Sequence, residues 1–139
     1  MKETDSKEFI LDADILIEAE RGNSIALNWF EKQENIVIAD SVRFEFLSGT
    51  HQVKNWTVKE RSLKFYHEYC SLCSSESHTR EDFENAARIV GEAWRENRGK
   101  PSMTDGLLSV LAQRTGRIVA TRNLKDFKAC GAAALNPLA

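Results

Sequence analysis

Phe9-Ile10-Leu11 is an apolar run that ends on a carboxylate, Asp12, and resumes after Ala13-Asp14 as Ile15-Leu16-Ile17. Such a run belongs inside a protein, and a carboxylate at its end costs several kcal/mol to desolvate unless hydrogen bonds or a cation compensate it. The segment must therefore end where compensation is available. In an open parallel sheet that place is the crevice at the carboxyl ends of the strands. Two readings fit the segment on its own. Either Asp12 or Asp14 caps a helix beginning near Ile15, or the acids face a metal ion.

The same design recurs along the chain. Glu45 follows the apolar run Ile36-Val37-Ile38-Ala39, inside a short helical segment that reaches Gly49. Asp105 stands in Pro101-Ser102-Met103-Thr104-Asp105-Gly106-Leu107-Leu108, the first turn of a helix ending near Gly116. Asn123 and Asp126 follow Ile118-Val119-Ala120-Thr121-Arg122. Short apolar runs alternating with helical periodicity argue for a parallel sheet covered on both faces. The expected strands are 9–11, 36–39, 118–120 and 132–135, with a weaker, more polar one within 71–77.

Helix starts are marked by capping boxes. Thr57-Val58-Lys59-Glu60 opens a helix running to about Cys70, and Thr79-Arg80-Glu81-Asp82 opens another. In the latter, Phe83, Ala86, Ala87, Val90 and Trp94 recur at helical spacing and are expected in the core. Gly116 is the expected stop of the helix that Asp105 begins. No repeat or linker divides the 139 residues, so a single domain, 1–139, is expected.

Taken together, the Asp12-x-Asp14 opening, Glu45, the Asp105-Gly106-Leu107-Leu108 segment and the stretch Thr121-Arg122-Asn123-Leu124-Lys125-Asp126-Phe127 resemble the PIN-domain family of metal-dependent ribonucleases. The likeness is strongest to its VapC-type toxins, and the ending Leu135-Asn136-Pro137-Leu138 is also similar to the family's usual close. The resemblance covers 9–138 and implies a three-layer α/β/α domain with a central parallel sheet of about 4–5 strands. It places the first three acids of the family on Asp12, Glu45 and Asp105. Where the family often has a fourth Asp this chain has Asn123, which leaves that role to be shared with Asp126. The resemblance further implies an RNA substrate, a homodimer, and a small antitoxin whose tail covers the acidic groove. Phe44 to Leu47, or the segment from Thr57 to Cys70, offers a surface for such a partner.

The chemistry of the residues agrees with this. Carboxylates gathered within a few Å repel one another and raise at least one pKa unless a divalent cation neutralises them. Oxygen donors alone suit Mg²⁺ or Mn²⁺ and disfavour zinc. An ion so held activates water for attack on a phosphodiester, and a second, about 4 Å away, stabilises the leaving oxygen. Asp12, Glu45 and Asp105 are the expected direct or water-mediated ligands. Asp126 and Asn123 are expected to orient water or hold a second ion. Thr121 has two readings, a hydrogen-bond donor to a carboxylate or phosphate, or a structural strand end. Asp14 is expected to support the ligands or cap the helix rather than bind.

Composition sets limits. No apolar stretch approaches the roughly 20 residues needed to span a bilayer, and the charged start has no signal-peptide pattern, so a cytoplasmic location is expected. Cys70, Cys73 and Cys130 are an odd number, against a disulfide framework, and Cys70-x-x-Cys73 lacks the second pair of a zinc site. His51, His67 and His78 are scattered with no nucleophile beside them, against a triad hydrolase.

The net charge of −2 does not by itself indicate a polyanion ligand, but the charge is unevenly spread. Arg95, Arg98, Lys100, Arg114, Arg117, Arg122, Lys125 and Lys128 flank the two late acidic motifs. They form either a phosphate-tracking rim or a solvated helix face. Trp29, Trp56 and Trp94 carry rings on which bases can stack, but helical apolar neighbours assign Trp29 and Trp94 to the core.

Two other functions compete. The apolar-Asp12-x-Asp14 opening also resembles the nucleophile motif of haloacid-dehalogenase-type phosphatases, which need a late acidic pair; no Asp-Asp dipeptide occurs here. A PIN-like scaffold that has lost catalysis and serves as a binding module draws support from Asn123.

Overall fold

The computed structural model describes residues 8–139. Five strands make one wholly parallel sheet: β1 (Phe9–Leu11), β2 (Ile36–Ala39), β3 (Ser74–Glu76), β4 (Ile118–Ala120) and β5 (Ala134–Leu135). Their spatial order is β3-β2-β1-β4-β5. The chain thus builds outward from β1 to β3 and then returns to the other side of β1 for β4. That reversal opens a crevice at the carboxyl ends of β1 and β4, where open α/β sheets bind their ligands.

Helices α1 (Ala13–Glu20), α2 (Ser24–Lys32), α3 (Asp40–Gln52), α4 (Trp56–Phe65), α5 (Arg80–Arg95), α6 (Met103–Thr115) and α7 (Leu124–Ala129) flank the sheet in an α/β/α arrangement. One π-helical turn, Tyr66–Cys70, prolongs α4. Among the described residues, no helix is long and apolar enough to cross a membrane.

β1 and β2 are buried throughout, which requires apolar residues on both faces and matches their unbroken runs. Ile10, Leu11, Ile15, Leu16, Ile38, Val42, Leu108, Leu111 and Val119 are fully enclosed in one core. β3 is polar because it is an edge strand, where a Ser-Ser-Glu sequence keeps the open edge soluble. β5 begins two residues later than expected. Ala132 N–H is used to close α7 by bonding Phe127 O at 3.1 Å, and only beyond it does the chain join the ladder.

Two expectations fail. The Thr57 capping box does not form: Asn55 caps α4, its side chain accepting from Val58 N at 3.1 Å, so the helix starts before Thr57. Asn is at least as good an N-cap as Thr, and it comes first. The Thr79 box does form, but the apolar stripe behind it is not core: Phe83 is 48% and Trp94 51% exposed, and Ala87 is also exposed. Ala86 alone of the five is buried, against Leu107 and Val110 of α6.

Two features set how closely α5 and α6 approach. A Cβ on Gly106 would come within 2.4 Å of Val90 Cγ2 and 3.3 Å of Ala86 O, so only glycine lets the two backbones meet there. Arg114 of α6 also grips the buried Asp82 of α5 through two hydrogen bonds of 3.0 and 2.8 Å. A bidentate pair of this geometry is the arrangement that compensates a buried carboxylate best. Phe83, Ala87 and Val90 are left with Met103 and Leu107 as the wall of an apolar groove.

Candidate functional site

Asp12 leaves β1 at the reversal point of the sheet, and its backbone N–H bonds Ala120 O of β4 at 3.0 Å. It is the N-cap of α1: Oδ1 accepts from Ala13 N at 2.8 Å. Oδ2 accepts from Thr121 Oγ1 at 2.7 Å. Of the two readings of the opening segment, the structure shows the cap, on a side chain that also stands at the mouth of the crevice. Thr121 is fully buried, so of its two expected roles the structure shows the carboxylate partner. Its hydroxyl also accepts from Asn123 N at 2.9 Å, tying the start of α7 to Asp12.

Asp14 lies in the first turn of α1, with Oδ2 accepting from Arg122 N at 3.0 Å. Its Oδ1 is buried and, among the described residues, has no hydrogen-bond partner. A buried carboxylate oxygen without a donor is costly, and a proton, a water or a cation relieves that cost. Asp105 stands at the third position of α6, where Ser102 and Asp105 form a reciprocal capping box: Asp105 N donates to Ser102 Oγ at 3.1 Å and Ser102 N to Asp105 Oδ2 at 3.0 Å. The sequence carries this signal as Ser102-x-x-Asp105. The box commits Oδ2 and points the N-terminus of α6 at the acids, where its dipole favours negative charge.

Asp126 is engaged at both oxygens. Oδ1 accepts from Lys100 N at 3.0 Å and Oδ2 from Asn123 Nδ2 at 3.0 Å. Gly99 permits the first of these, because a Cβ there would lie 2.8 Å from Asp126 Oδ1 and 3.1 Å from Ala129 Cβ. Glu45 projects from α3 and is exposed.

The electrostatics tie the acids together. Burial, then Asp14 and Asp105, raise Asp12 to about 7, against the Thr121 hydrogen bond that lowers it. Burial and Asp105 raise Asp14 despite the Arg122 amide and guanidinium that lower it. Desolvation of its carboxyl, then Asp105 and Asp14, raise Glu45. Burial raises Asp105, with Asp126 adding to the effect. Asp105 thus lies in the fields of Asp12, Asp14 and Glu45 on one side and of Asp126 on the other, and hydrogen bonds join Asp12, Thr121, Asn123 and Asp126. Among the described residues, no three His, Cys, Asp or Glu side chains close tightly enough to enclose an ion directly. An all-oxygen donor set with one unpartnered carboxylate oxygen suits a hydrated Mg²⁺ or Mn²⁺, which is normally held by one or two carboxylates and keeps several waters.

The basic residues divide. Arg114 is committed to Asp82, Arg117 to Glu8 and Glu76, and Arg122 lies 3.8 Å from Asp14 and 3.5 Å from Glu18. Arg98 bonds Glu96 and Ala129 O. Lys100 and Lys125 line a concavity that also contains Asn123 and Asp126. A second groove between α1, α3 and α4 includes Ile17, Glu45, Phe46 and Val58. A concavity of about 380 Å³ lies beside Glu8, Asn35, Ile36 and Arg117 and contains none of the candidate acids. Cys70, Cys73 and Cys130 are free thiols, and burial raises the pKa of each, Cys70 to about 12, which keeps them unreactive.

The sequence matches the family model described as PIN domain over residues 9–131. No curated protein matches it significantly. Solved structures with a similar fold include three bacterial examples. FitAcB from Neisseria gonorrhoeae superposes with a TM-score of 0.77 at 18% identity, covering 93% of this chain and 97% of that one. A toxin-antitoxin complex from Klebsiella pneumoniae gives 0.70 at 19% identity, covering 94% and 98%. VapC20 from Mycobacterium tuberculosis, a toxin that cleaves the sarcin-ricin loop, gives 0.70 at 14% identity, covering 91% and 97%.

Proposed function

Because the chain belongs to the PIN domain family, we propose that it is a metal-dependent endoribonuclease and the toxin of a toxin–antitoxin pair. The observation that carries this reading is the group Asp12, Asp14, Glu45 and Asp105, in which the Asp105 charge raises the pKa of each of the other three while Asp126 raises that of Asp105.

In this reading Asp12, Glu45 and Asp105 would hold Mg²⁺ or Mn²⁺, directly or through water, and Asp14 would add to the negative charge that attracts it. A bound ion supplies the acidity that activates water and the charge that stabilises the dividing phosphodiester. The protein's own residues do the rest. Thr121 fixes the Asp12 carboxylate, and the Ser102 box fixes Asp105. Asn123 and Lys100 N hold Asp126 so that it orients water rather than binding an ion with both oxygens. Water adds to phosphorus, the bond to the leaving ribose oxygen breaks, and a proton passes to that oxygen. The family gives the phosphatase alternative no support.

An antitoxin is the proposed partner. The structural neighbours include a toxin-antitoxin complex, and the groove that contains Glu45 also has Ile17, Phe46, Val53 and Val58 in its walls, apolar surface next to an acid. A basic side chain on an otherwise apolar segment suits it. The apolar groove of Phe83, Val90 and Met103 supports self-association into a homodimer, the location being cytoplasmic.

The test is cleavage of a mixed, structured RNA pool by purified protein in Mg²⁺, Mn²⁺ or EDTA, beside Asp105→Asn. Discrete cuts that need metal and vanish in the variant support the nuclease. A second reading, a binding module without catalysis, is favoured by Asn123 at the fourth acidic position. It predicts no cuts and little Mg²⁺ affinity in folded, antitoxin-free protein.

A further inference from the structure

Trp94 is half exposed at the end of α5, yet its ring is not free to turn: Nε1–H donates to Pro101 O at 2.9 Å. It forms one wall of a concavity of about 330 Å³ whose other walls include Asn97, Lys100, Asn123, Lys125 and Asp126. We propose that this concavity is a subsite for an unpaired nucleotide of the RNA, its base stacked on the Trp94 indole and its flanking phosphates met by Lys100 and Lys125. The proposal rests on the ribonuclease reading above and names where that reaction's substrate specificity resides.

Four observations carry it. The indole is oriented before any ligand arrives, so stacking orders little that is not already ordered. Among the described residues neither Lys100 nor Lys125 is paired with an acid, whereas Arg114, Arg117 and Arg122 each are. Lys100 Nζ lies 5.8 Å from the Trp94 ring centroid, a contact weak enough at an exposed site for an arriving base to displace the ammonium toward a phosphate. The same concavity is walled by Asn123 and Asp126, so a nucleotide stacked there adjoins the acidic group.

Local backbone structure makes this adjacency possible. Asn97 has a φ of 56°, a left-handed turn that reverses the chain after α5, and its amide offers both a donor and an acceptor at the pocket wall. Gly99 then lets the loop press against α7, since a Cβ would strike Asp126 Oδ1. The platform and the acids are thereby held by one short stretch of chain. The other apolar groove on α5, around Phe83 and Met103, has no cation in its walls and lacks this combination. Aromatic rings beside cations are the means by which proteins hold single-stranded nucleic acid without regard to sequence, while amides at the rim read the base edge.

The experiment measures binding of a short, unstructured, fluorescein-labelled RNA to the full-length protein in EDTA, where no cut occurs, followed by cleavage of the same RNA in Mg²⁺. Trp94→Leu is expected to weaken binding by about tenfold or more, and Trp94→Phe, which keeps a stacking face, by about threefold or less. A melting curve for each variant confirms that it is folded. In a separate salt titration, Lys100→Ala and Lys125→Ala should each lower the slope of log Kd against log salt by ~0.7. If Trp94→Leu and both lysine variants bind as wild type does, the subsite is overturned while the nuclease reading stands. If wild-type, folded protein neither binds nor cuts RNA, the nuclease reading falls and the subsite falls with it.

Discussion

Thr121 Oγ1 donates to Asp12 Oδ2 at 2.7 Å, joining residues 109 positions apart across the two strands between which the crevice opens. Because the same hydroxyl accepts from Asn123 N, one buried oxygen sets both the first acid and the start of α7. Thr121→Val keeps the shape and removes the hydroxyl, leaving a carboxylate oxygen and an amide without partners. We expect a loss of about 2 kcal/mol in urea unfolding, against about 1 kcal/mol or less for Thr121→Ser. The valine variant should also move the acid limb of the cleavage pH profile upward, since the lost bond is one that holds the Asp12 pKa down.

Stability should respond to pH in a window set by Asp12. Its pKa is raised to about 7 by burial and by Asp14, above the ordinary aspartate value of 3.8. Between those values the native state holds more protons than the unfolded chain, so metal-free protein should lose stability as pH rises from about 4 to about 7, then level off. Asp82 acts in the opposite sense. The Arg114 hydrogen bonds lower its pKa, and that stabilisation is present above the unfolded value and lost as pH falls through the folded one. Thermal melts in EDTA should therefore show a maximum on the acid side of neutrality. Mg²⁺ should raise Tm more at pH 8 than at pH 5, because it binds the ionised acids; an equal rise at both would contradict this.

Neutralising the acids separates binding from folding. Asp12→Asn, Glu45→Gln and Asp105→Asn should each reduce cleavage by at least about a hundredfold, with no loss of the cooperative melt. Asp126→Asn should cost about tenfold, because both of its oxygens are already occupied by protein donors. Asp14→Asn tests the buried oxygen without a partner. Metal-free protein should become more stable at pH 8, and its gain in Tm on adding Mg²⁺ should shrink.

Gly106→Ala should destabilise the protein by about 2 kcal/mol, even though alanine favours helix. Its methyl group would meet Val90 Cγ2 at 2.4 Å and force α5 away from α6. Val90→Ala in the same chain should restore part of the loss. A double-mutant cycle showing simple additivity would place the clash elsewhere.

The sheet was largely legible because its signals are local. β1, β2 and β4 are short apolar runs bounded by polar residues, and the structure places them at 9–11, 36–39 and 118–120 as expected. Gly116 ends α6 in the left-handed conformation, with a φ of 70°. The acids at the strand mouths were visible because carboxylates are conspicuous where an apolar run ends. Phe83 and Trp94 were misassigned for a related reason. Helical spacing identifies an apolar face but not the breadth of the element that covers it, and α6 covers little beyond Ala86.

By itself, then, the sequence determined where β1, β2 and β4 lie and that acids or amides follow them. These follow from backbone propensity and the cost of burying charge, which act residue by residue. The tertiary structure decided what no single segment contains. It made Asp12 both a cap and a partner of Thr121, and it left one oxygen of Asp14 without a donor. It also paired Arg114 with Asp82 and left Lys100 and Lys125 beside an exposed Trp94. Each of these depends on which distant groups meet, and that is fixed only when the strand order 3-2-1-4-5 brings chain ends together.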